Sequence, residues 1–95
     1  MSWSIFYHYA VEEDLESVGS AAARRIVRAI DEKLGSAPLD FGAPLSGSLA
    51  NFRKLRVGDY RIVYQVNEER ITVFVPAVGP RRDKEIYREA LKQKT

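Results

Sequence analysis

The first half of the chain alternates polar and apolar residues with two different periods. Residues 4–9 alternate with an aromatic bias, which predicts a β-strand. Residues 10–19 carry apolar side chains at helical spacing and end at a glycine, and Ser20 is suited to cap a second helix that stops at Gly35. The apolar stripe of that helix is Ala22, Ala23, Ile26, Val27, Ile30 and Leu34. Because their connection is short, we expect the two helices to pack as an antiparallel pair.

The second half predicts three strands and a closing helix. Residues 36–52 hold two prolines, two glycines and three serines, and are expected to form a long loop. Strands are predicted over 52–57, 60–66 and 71–78, and a short helix over 82–94. The order β-α-α-β-β-β-α predicts one α+β domain over residues 1–95. We expect an antiparallel sheet meander with the two N-terminal helices packed on one face and a short C-terminal helix.

A two-residue turn at Gly58-Asp59 would set the strand register and sort the side chains between two faces. It places Arg56 opposite Arg61 and Lys54 opposite Val63, because side chains alternate along a strand. The core face, covered by the helices, is then expected to collect Leu55, Val57, Tyr60, Ile62, Tyr64, Ile71, Val73, Val75 and Ala77. The opposite face, which we expect the helices to leave bare, collects Lys54, Arg56, Arg61, Val63, Gln65, Thr72 and Phe74, with Phe52 at its end.

The cations on this second face have two interpretations. The first interpretation is an anion-binding site. Like charges directly opposite each other destabilise a sheet by up to about 1 kcal/mol, and a bound phosphate would relieve the repulsion between Arg56 and Arg61. The alternative is a solvated outer face that happens to be basic, which antiparallel sheets tolerate. Arg81 and Arg82 follow Gly79-Pro80 at the end of the last predicted strand and add to the positive charge.

Charge is distributed unevenly along the chain. The net charge is +2, but residues 1–51 are acidic and residues 52–95 are basic. The second half is therefore where an anionic partner would bind. The chain has no cysteine, which excludes a disulfide framework and a thiolate nucleophile. We find no apolar run long enough to span a bilayer and no secretory signal pattern, so a cytoplasmic protein is expected.

Several segments together resemble a known family. They are the lysine–arginine strand before "GDYRIVYQV", the strand and exit "VFVPAVGPR", "EIYREA" in the last helix, and "LSGSL" in the loop. The chain resembles the RelE family of toxin–antitoxin toxins, within the RelE/ParE superfamily. The resemblance covers the whole chain.

The resemblance implies a ribosome-dependent endoribonuclease, an mRNA interferase that cuts the codon in the ribosomal A site. The RNA 2′-hydroxyl would attack the adjacent phosphate and leave a 2′,3′-cyclic phosphate. Relatives carry a lysine two residues before the position that matches Lys54, and here that residue is Phe52. The resemblance implies catalytic roles for Lys54, Arg61, Arg81 and Tyr87, and we expect RNA or ribosome contacts from Arg53, Arg56, Arg82 and Lys84.

The implied chemistry needs a base, charge stabilisation and help for the leaving group. We expect Tyr87 to be the general base, Arg81 to assist the leaving 5′-oxygen, and Lys54 and Arg61 to hold the phosphate. A tyrosine has an ordinary pKa near 10, which nearby cations lower. His8, the one histidine, is interpreted as a packing or surface residue of the first strand.

No cofactor and no metal site are expected. The acidic side chains Glu12, Glu13, Asp14 and Glu16 are predicted to lie on the wetted side of the first helix, without a matching ligand set.

The resemblance implies a RelB-like antitoxin partner, besides the ribosome and mRNA, and a complex that binds operator DNA through the antitoxin. Two other functions stay open. The first is a ParE-like inhibitor of DNA gyrase, whose typical members lack the Arg81–Tyr87 pair. The second is a catalytically weak module of the same fold that only binds an antitoxin.

Overall fold

A computed structural model of the chain describes residues 2–80 and 85–92. The strands are β1 (Ser4–Tyr7), β2 (Ala43–Pro44), β3 (Arg53–Val57), β4 (Tyr60–Asn67) and β5 (Thr72–Pro80). The helices are α1 (Val11–Val18), α2 (Ser20–Ala29) and α3 (Glu85–Lys92). A π-helical turn, Ile30–Leu34, extends α2, and a 3-10 turn, Gly47–Leu49, lies in the predicted loop. The predicted α+β class is confirmed, and the predicted elements occur in the predicted order with one additional strand, β2.

The sheet is mixed, whereas a fully antiparallel meander was predicted. Its strand order is β1-β5-β4-β3-β2, and β1 runs parallel to β5, with Ser4 beside Thr72 and Tyr7 beside Val75. Strands β3 and β5 take the two edges of β4, so the outer edge of β5 is left for β1. Strand β2 falls inside the predicted loop, where Pro44 is tolerated because β2 is an edge strand.

The β3–β4 hairpin has the predicted register. Arg56 pairs with Arg61, Leu55 with Ile62, and Lys54 with Val63. The two-residue turn at Gly58-Asp59 fixes this pairing, because loop length sets hairpin register.

A bulge in β5 overturns one face assignment. Val63 pairs with Ala77 and Gln65 with Phe74, so Val75 and Pro76 together face the single residue Tyr64. Proline has no N–H for the ladder and is confined in sheets to edges and bulges. The extra residue shifts the alternation, and Ala77 lies on the second face instead of the predicted core face.

The first face of the sheet carries the larger core under α1, α2 and the π-helical turn. Its buried members are Val11, Ile26, Ile30, Leu34, Leu55, Ile62, Tyr64, Val73, Val75 and Val78. Ser20 is the first residue of α2 rather than its cap, and its side chain makes no capping hydrogen bond. Gly19 precedes the helix with a φ of 91°, a value that side-chain-bearing residues rarely adopt, so the tight α1–α2 turn depends on glycine.

The second face is not bare, which corrects the prediction. Helix α3 packs on it through Ile86 and Ala90, over Phe52, Val63 and Ala77. Around this smaller core lie Leu45, Leu49, Tyr87 and Leu91. The C-terminal helix therefore closes part of the face that carries the cations.

Candidate functional site

The β3–β4 hairpin gathers three cations on the second face. Arg56 and Arg61 are cross-strand partners, and Lys54 is paired with Val63 on one side and with Ala43 of β2 on the other. Arg61 has Gly79 as its partner on β5, so no side chain flanks it there. The alternation that puts Leu55 and Ile62 into the core necessarily puts these cations on the opposite side.

Arg61 contacts the residue predicted to be the base. Its Nη1 donates a hydrogen bond of 2.5 Å to the hydroxyl of Tyr87 on α3. Arg61 and Tyr87 are both partly buried, and 26 residues separate them along the chain. The fold therefore brings together two of the four residues predicted to be catalytic. A half-buried guanidinium on a phenol oxygen provides both a phosphate ligand and a group that can exchange a proton.

Lys54, Arg56 and Arg61 form a cationic surface, and Arg56 and Lys54 lie at its opposite ends. Arg56 is exposed, and its Nε donates to the carbonyl oxygen of Gly58 at 3.2 Å, so its side chain lies along the hairpin turn. Lys54 is half-buried, and its ammonium makes no hydrogen bond or ion pair within residues 2–80 and 85–92. None of these described residues competes with an anionic ligand for the Lys54 ammonium.

Arg53 is not brought to this face. Its Nε donates to the Tyr64 hydroxyl at 3.3 Å, and its Nη2 donates to the carbonyl oxygens of Leu39 and Phe41 at 3.2 and 3.4 Å. These contacts lie on the first face and tie the loop to the sheet. Arg81, Arg82 and Lys84, three further predicted site residues, fall outside the described residues.

Comparisons with known proteins give the family. A family model described as the ParE toxin of type II toxin–antitoxin systems, parDE, matches residues 5–85. Toxin RelG of Mycobacterium tuberculosis is 30% identical over 88 residues, which cover 93% of this chain and 99% of that one. The chain is a RelE-family toxin.

Other relatives agree with the family and the fold. The mRNA interferase toxin RelE of Escherichia coli is 52% identical over 40 residues, so the match spans 42% of each chain. A solved structure of that toxin in the free state, carrying two substitutions, has a TM-score of 0.82 and 26% identity over the whole of both chains. The toxin–antitoxin complex RelBE2 of M. tuberculosis has a TM-score of 0.80 and 26% identity, covering 85% of this chain and 100% of that one.

The histidine lies away from the cationic surface. The Nδ1 atom of His8 accepts a hydrogen bond of 3.1 Å from the Ala10 N–H, and its ring stacks on Tyr9 with centroids 4.4 Å apart. The His8 ring also contacts Phe74 edge-on, with ring centroids 6.4 Å apart. This is the packing role expected for it.

Asp14 is a residue that the sequence analysis misplaced. It is half-buried rather than fully wetted, and its Oδ2 accepts a hydrogen bond of 3.1 Å from the Val78 N–H of β5. Burial raises the pKa of the Asp14 carboxyl, and the nearby carboxylates of Glu89 and Glu13 add to the rise. Helical spacing gives the missed signal, since residue 14 follows buried Val11 by three positions and shares its side of α1.

The described ranges contain neither a candidate metal site nor a membrane-spanning helix. In residues 2–80 and 85–92, no group of three or more His, Asp or Glu side chains is placed to hold a metal ion. No helix in the same ranges is long and apolar enough to cross a membrane.

Proposed function

We propose that this chain is the toxin of a type II toxin–antitoxin system and acts as a ribosome-dependent mRNA interferase. The observation that carries the proposal is the hydrogen bond from Arg61 to the Tyr87 hydroxyl, set in a surface that also holds Lys54 and Arg56. The name of the E. coli relative, an mRNA interferase, supports the same activity. A phosphate site would explain why the hairpin keeps Arg56 beside Arg61, because a bound phosphate relieves the repulsion between the two side chains.

The proposed reaction is an internal transesterification. The 2′-oxygen of the A-site nucleotide bonds to the adjacent phosphorus while the bond from phosphorus to the 5′-oxygen breaks. The proton of the 2′-hydroxyl passes to Tyr87 in its phenolate form, and the departing 5′-oxygen takes a proton from solvent water while Arg81 stabilises its negative charge. The products are a 2′,3′-cyclic phosphate and a 5′-hydroxyl.

The predicted site residues that the structure describes differ in the part we propose for them. Lys54 and Arg61 hold the scissile phosphate and stabilise the negative charge that accumulates on it. Arg61 also holds the Tyr87 oxygen and stabilises negative charge there. Arg56 extends the cationic surface to the neighbouring phosphate. Arg53 has no part, because its guanidinium is bonded on the first face.

The proposed partners follow from the same surface and from the relatives. Solved relatives include complexes with RelB-type antitoxins, and we propose a RelB-like antitoxin here, whose binding segment folds on the toxin. The complex would bind operator DNA through the antitoxin. The ribosome, its mRNA and a cytoplasmic site of action belong to the same proposal, and binding through Lys and Arg predicts an affinity that falls steeply with salt.

Primer extension on mRNA in programmed ribosomes tests the proposal. The parent chain should cut within the A-site codon, and ribosome-free mRNA should stay intact. Tyr87→Phe and Arg61→Met should each lower the single-turnover rate by about 100-fold or more. Arg70→Ala is the matched control, because it removes an exposed cation in the β4–β5 turn and should cut at the parent rate.

The other outcomes of this experiment separate the two alternative functions. ParE is the description of the family model that matches, so inhibition of gyrase is the second candidate. A chain that leaves mRNA intact, does not bind ribosomes and causes DNA breaks would support it. A folded chain that binds an antitoxin but arrests neither translation nor growth would support the binding module.

A further inference from the structure

Phe52 belongs to the smaller core and lies directly before β3. It is 4% exposed, and it packs with Val63 and Ala77 of the sheet beneath Ile86 and Ala90 of α3. The ring therefore lies between the cationic hairpin and the helix that carries Tyr87.

The backbone of Phe52 is held on both sides. Its N–H donates to the carbonyl oxygen of Leu49 at 2.9 Å, and its carbonyl oxygen accepts from the Leu45 N–H at 3.0 Å. Leu45 and Leu49 themselves pack against the same core. These hydrogen bonds attach the Phe52 backbone to the loop, and the ring packs against Ile86 and Ala90 of α3.

Helix α3 packs closely on the sheet beside Phe52. A Cβ atom placed on Gly79 would lie 3.1 Å from the Cγ2 of Ile86, so the helix rests almost on the β5 backbone. Ile86 and Ala90 are four residues apart and share one side of the helix. Tyr87 follows Ile86, packs against the edge of the same core, and places its hydroxyl on Arg61.

We propose that Phe52 is a positioning residue that anchors α3 and thereby sets the Tyr87 hydroxyl on Arg61. This inference deepens the proposed function, because the atom being positioned is the proposed base. The ring touches no reacting atom and acts through the docked helix. A change at Phe52 should therefore alter the cleavage rate on the ribosome far more than ribosome binding.

The test compares four purified full chains by hydrogen exchange and by cleavage. Phe52→Ala should remove the exchange protection of α3 while β3, β4 and β5 stay protected. It should lower the single-turnover cleavage rate at saturating toxin by about 100-fold, the order expected when a reacting group moves by about 1 Å. Ribosome affinity should stay within about threefold of the parent, since the cations remain. Phe52→Leu, which keeps an apolar anchor, should restore most of both signals.

The control is Leu55→Ala, three residues further along in β3 and facing the larger core. It should weaken the whole domain without a selective loss of protection in α3. Should Phe52→Ala fail to fold, Ile86→Ala truncates the same contact from the helix side and should give the same selective pattern.

Three results would overturn the inference. One is equal protection of α3 in Phe52→Ala and Leu55→Ala, and another is an exposed α3 with an unchanged cleavage rate. The third is a loss of ribosome binding that accounts for the whole loss of cleavage. If the parent chain cuts no mRNA, the proposed function fails, and the exchange comparison still decides whether Phe52 anchors α3.

Discussion

Removing the hydroxyl of Tyr64 should destabilise the domain measurably. Tyr64 is fully buried, and its hydroxyl lies 2.9 Å from the carbonyl oxygen of Pro38 and 2.6 Å from that of Phe41. The same oxygen accepts the bond from Arg53. Tyr64→Phe keeps the ring but leaves these loop carbonyls and one arginine N–H without that partner.

The expected cost follows from the number and kind of these bonds. A net hydrogen bond contributes about 1 kcal/mol, and a buried polar group left without a partner costs about 1 to 3 kcal/mol. Because Arg53 retains its bonds to the loop and water can reach its exposed contacts, we expect a loss of about 2 kcal/mol. For a domain of this size that corresponds to a fall in Tm of roughly 10 °C.

Urea and thermal unfolding of Tyr64→Phe and Tyr60→Phe measure this effect. Tyr60 lies on the same strand and makes no hydrogen bond through its hydroxyl within the described residues, so its variant should change the free energy of unfolding by less than about 0.5 kcal/mol. A double-mutant cycle with Arg53→Met should show coupling of about 1 kcal/mol. Equal stabilities of the two phenylalanine variants would refute the argument that Tyr64 and Arg53 together hold the loop.

Three further changes have predicted directions. Burial raises the folded-state pKa of Asp14 above 3.8, so protonation of its carboxyl favours the folded state. This contribution to the free energy of unfolding is fully present below about that pH and is lost as the pH rises through the raised pKa. Asp14→Asn, which keeps an oxygen for the Val78 N–H, should therefore stabilise the chain at pH 7 and lose this advantage in acid, as urea titrations at several pH values would reveal. Gly42→Ala should cost more than about 1 kcal/mol, because Gly42 has a φ of 72° and an added Cβ would collide with the sheet; thermal unfolding tests this, and no change in Tm would contradict it. Arg56→Thr should relieve the repulsion from Arg61 and raise stability by about 0.5 kcal/mol while weakening ribosome binding and its salt dependence; unchanged binding would remove Arg56 from the cationic surface.

The β3–β4 hairpin was predictable because its determinants are local. The Gly58-Asp59 turn fixes the pairing, and strict alternation then assigns Lys54, Arg56 and Arg61 to one face. The same alternation places Arg53 on the first face, away from these cations. Its bonds to the loop need the tertiary structure, because Leu39 and Phe41 are 12 to 14 residues distant along the chain.

The errors arise where side chains act across the fold. The β5 bulge displaced Ala77, and Pro76 within the strand was the local signal for it. The period of α3 shows that the helix has an apolar side, but it does not tell which face of the sheet that side covers. The burial of Phe52 depends on that choice, so it could not be derived from the strand pattern alone. The roles of all the predicted site residues remain predictions, and Arg81, Arg82 and Lys84 lie outside the described residues.

The parallel pairing of β1 with β5 has a consequence for the timing of synthesis. Thr72 is added 68 residues after its partner Ser4. At about 5 to 20 residues per second, the nascent chain waits roughly 3 to 14 s before its sheet can close. Tyr87 is added later still, so Arg61 gains its partner only after the sheet strands exist. A protein proposed to attack translating ribosomes would thus be inactive at least until β5 and the helix that carries Tyr87 have been made.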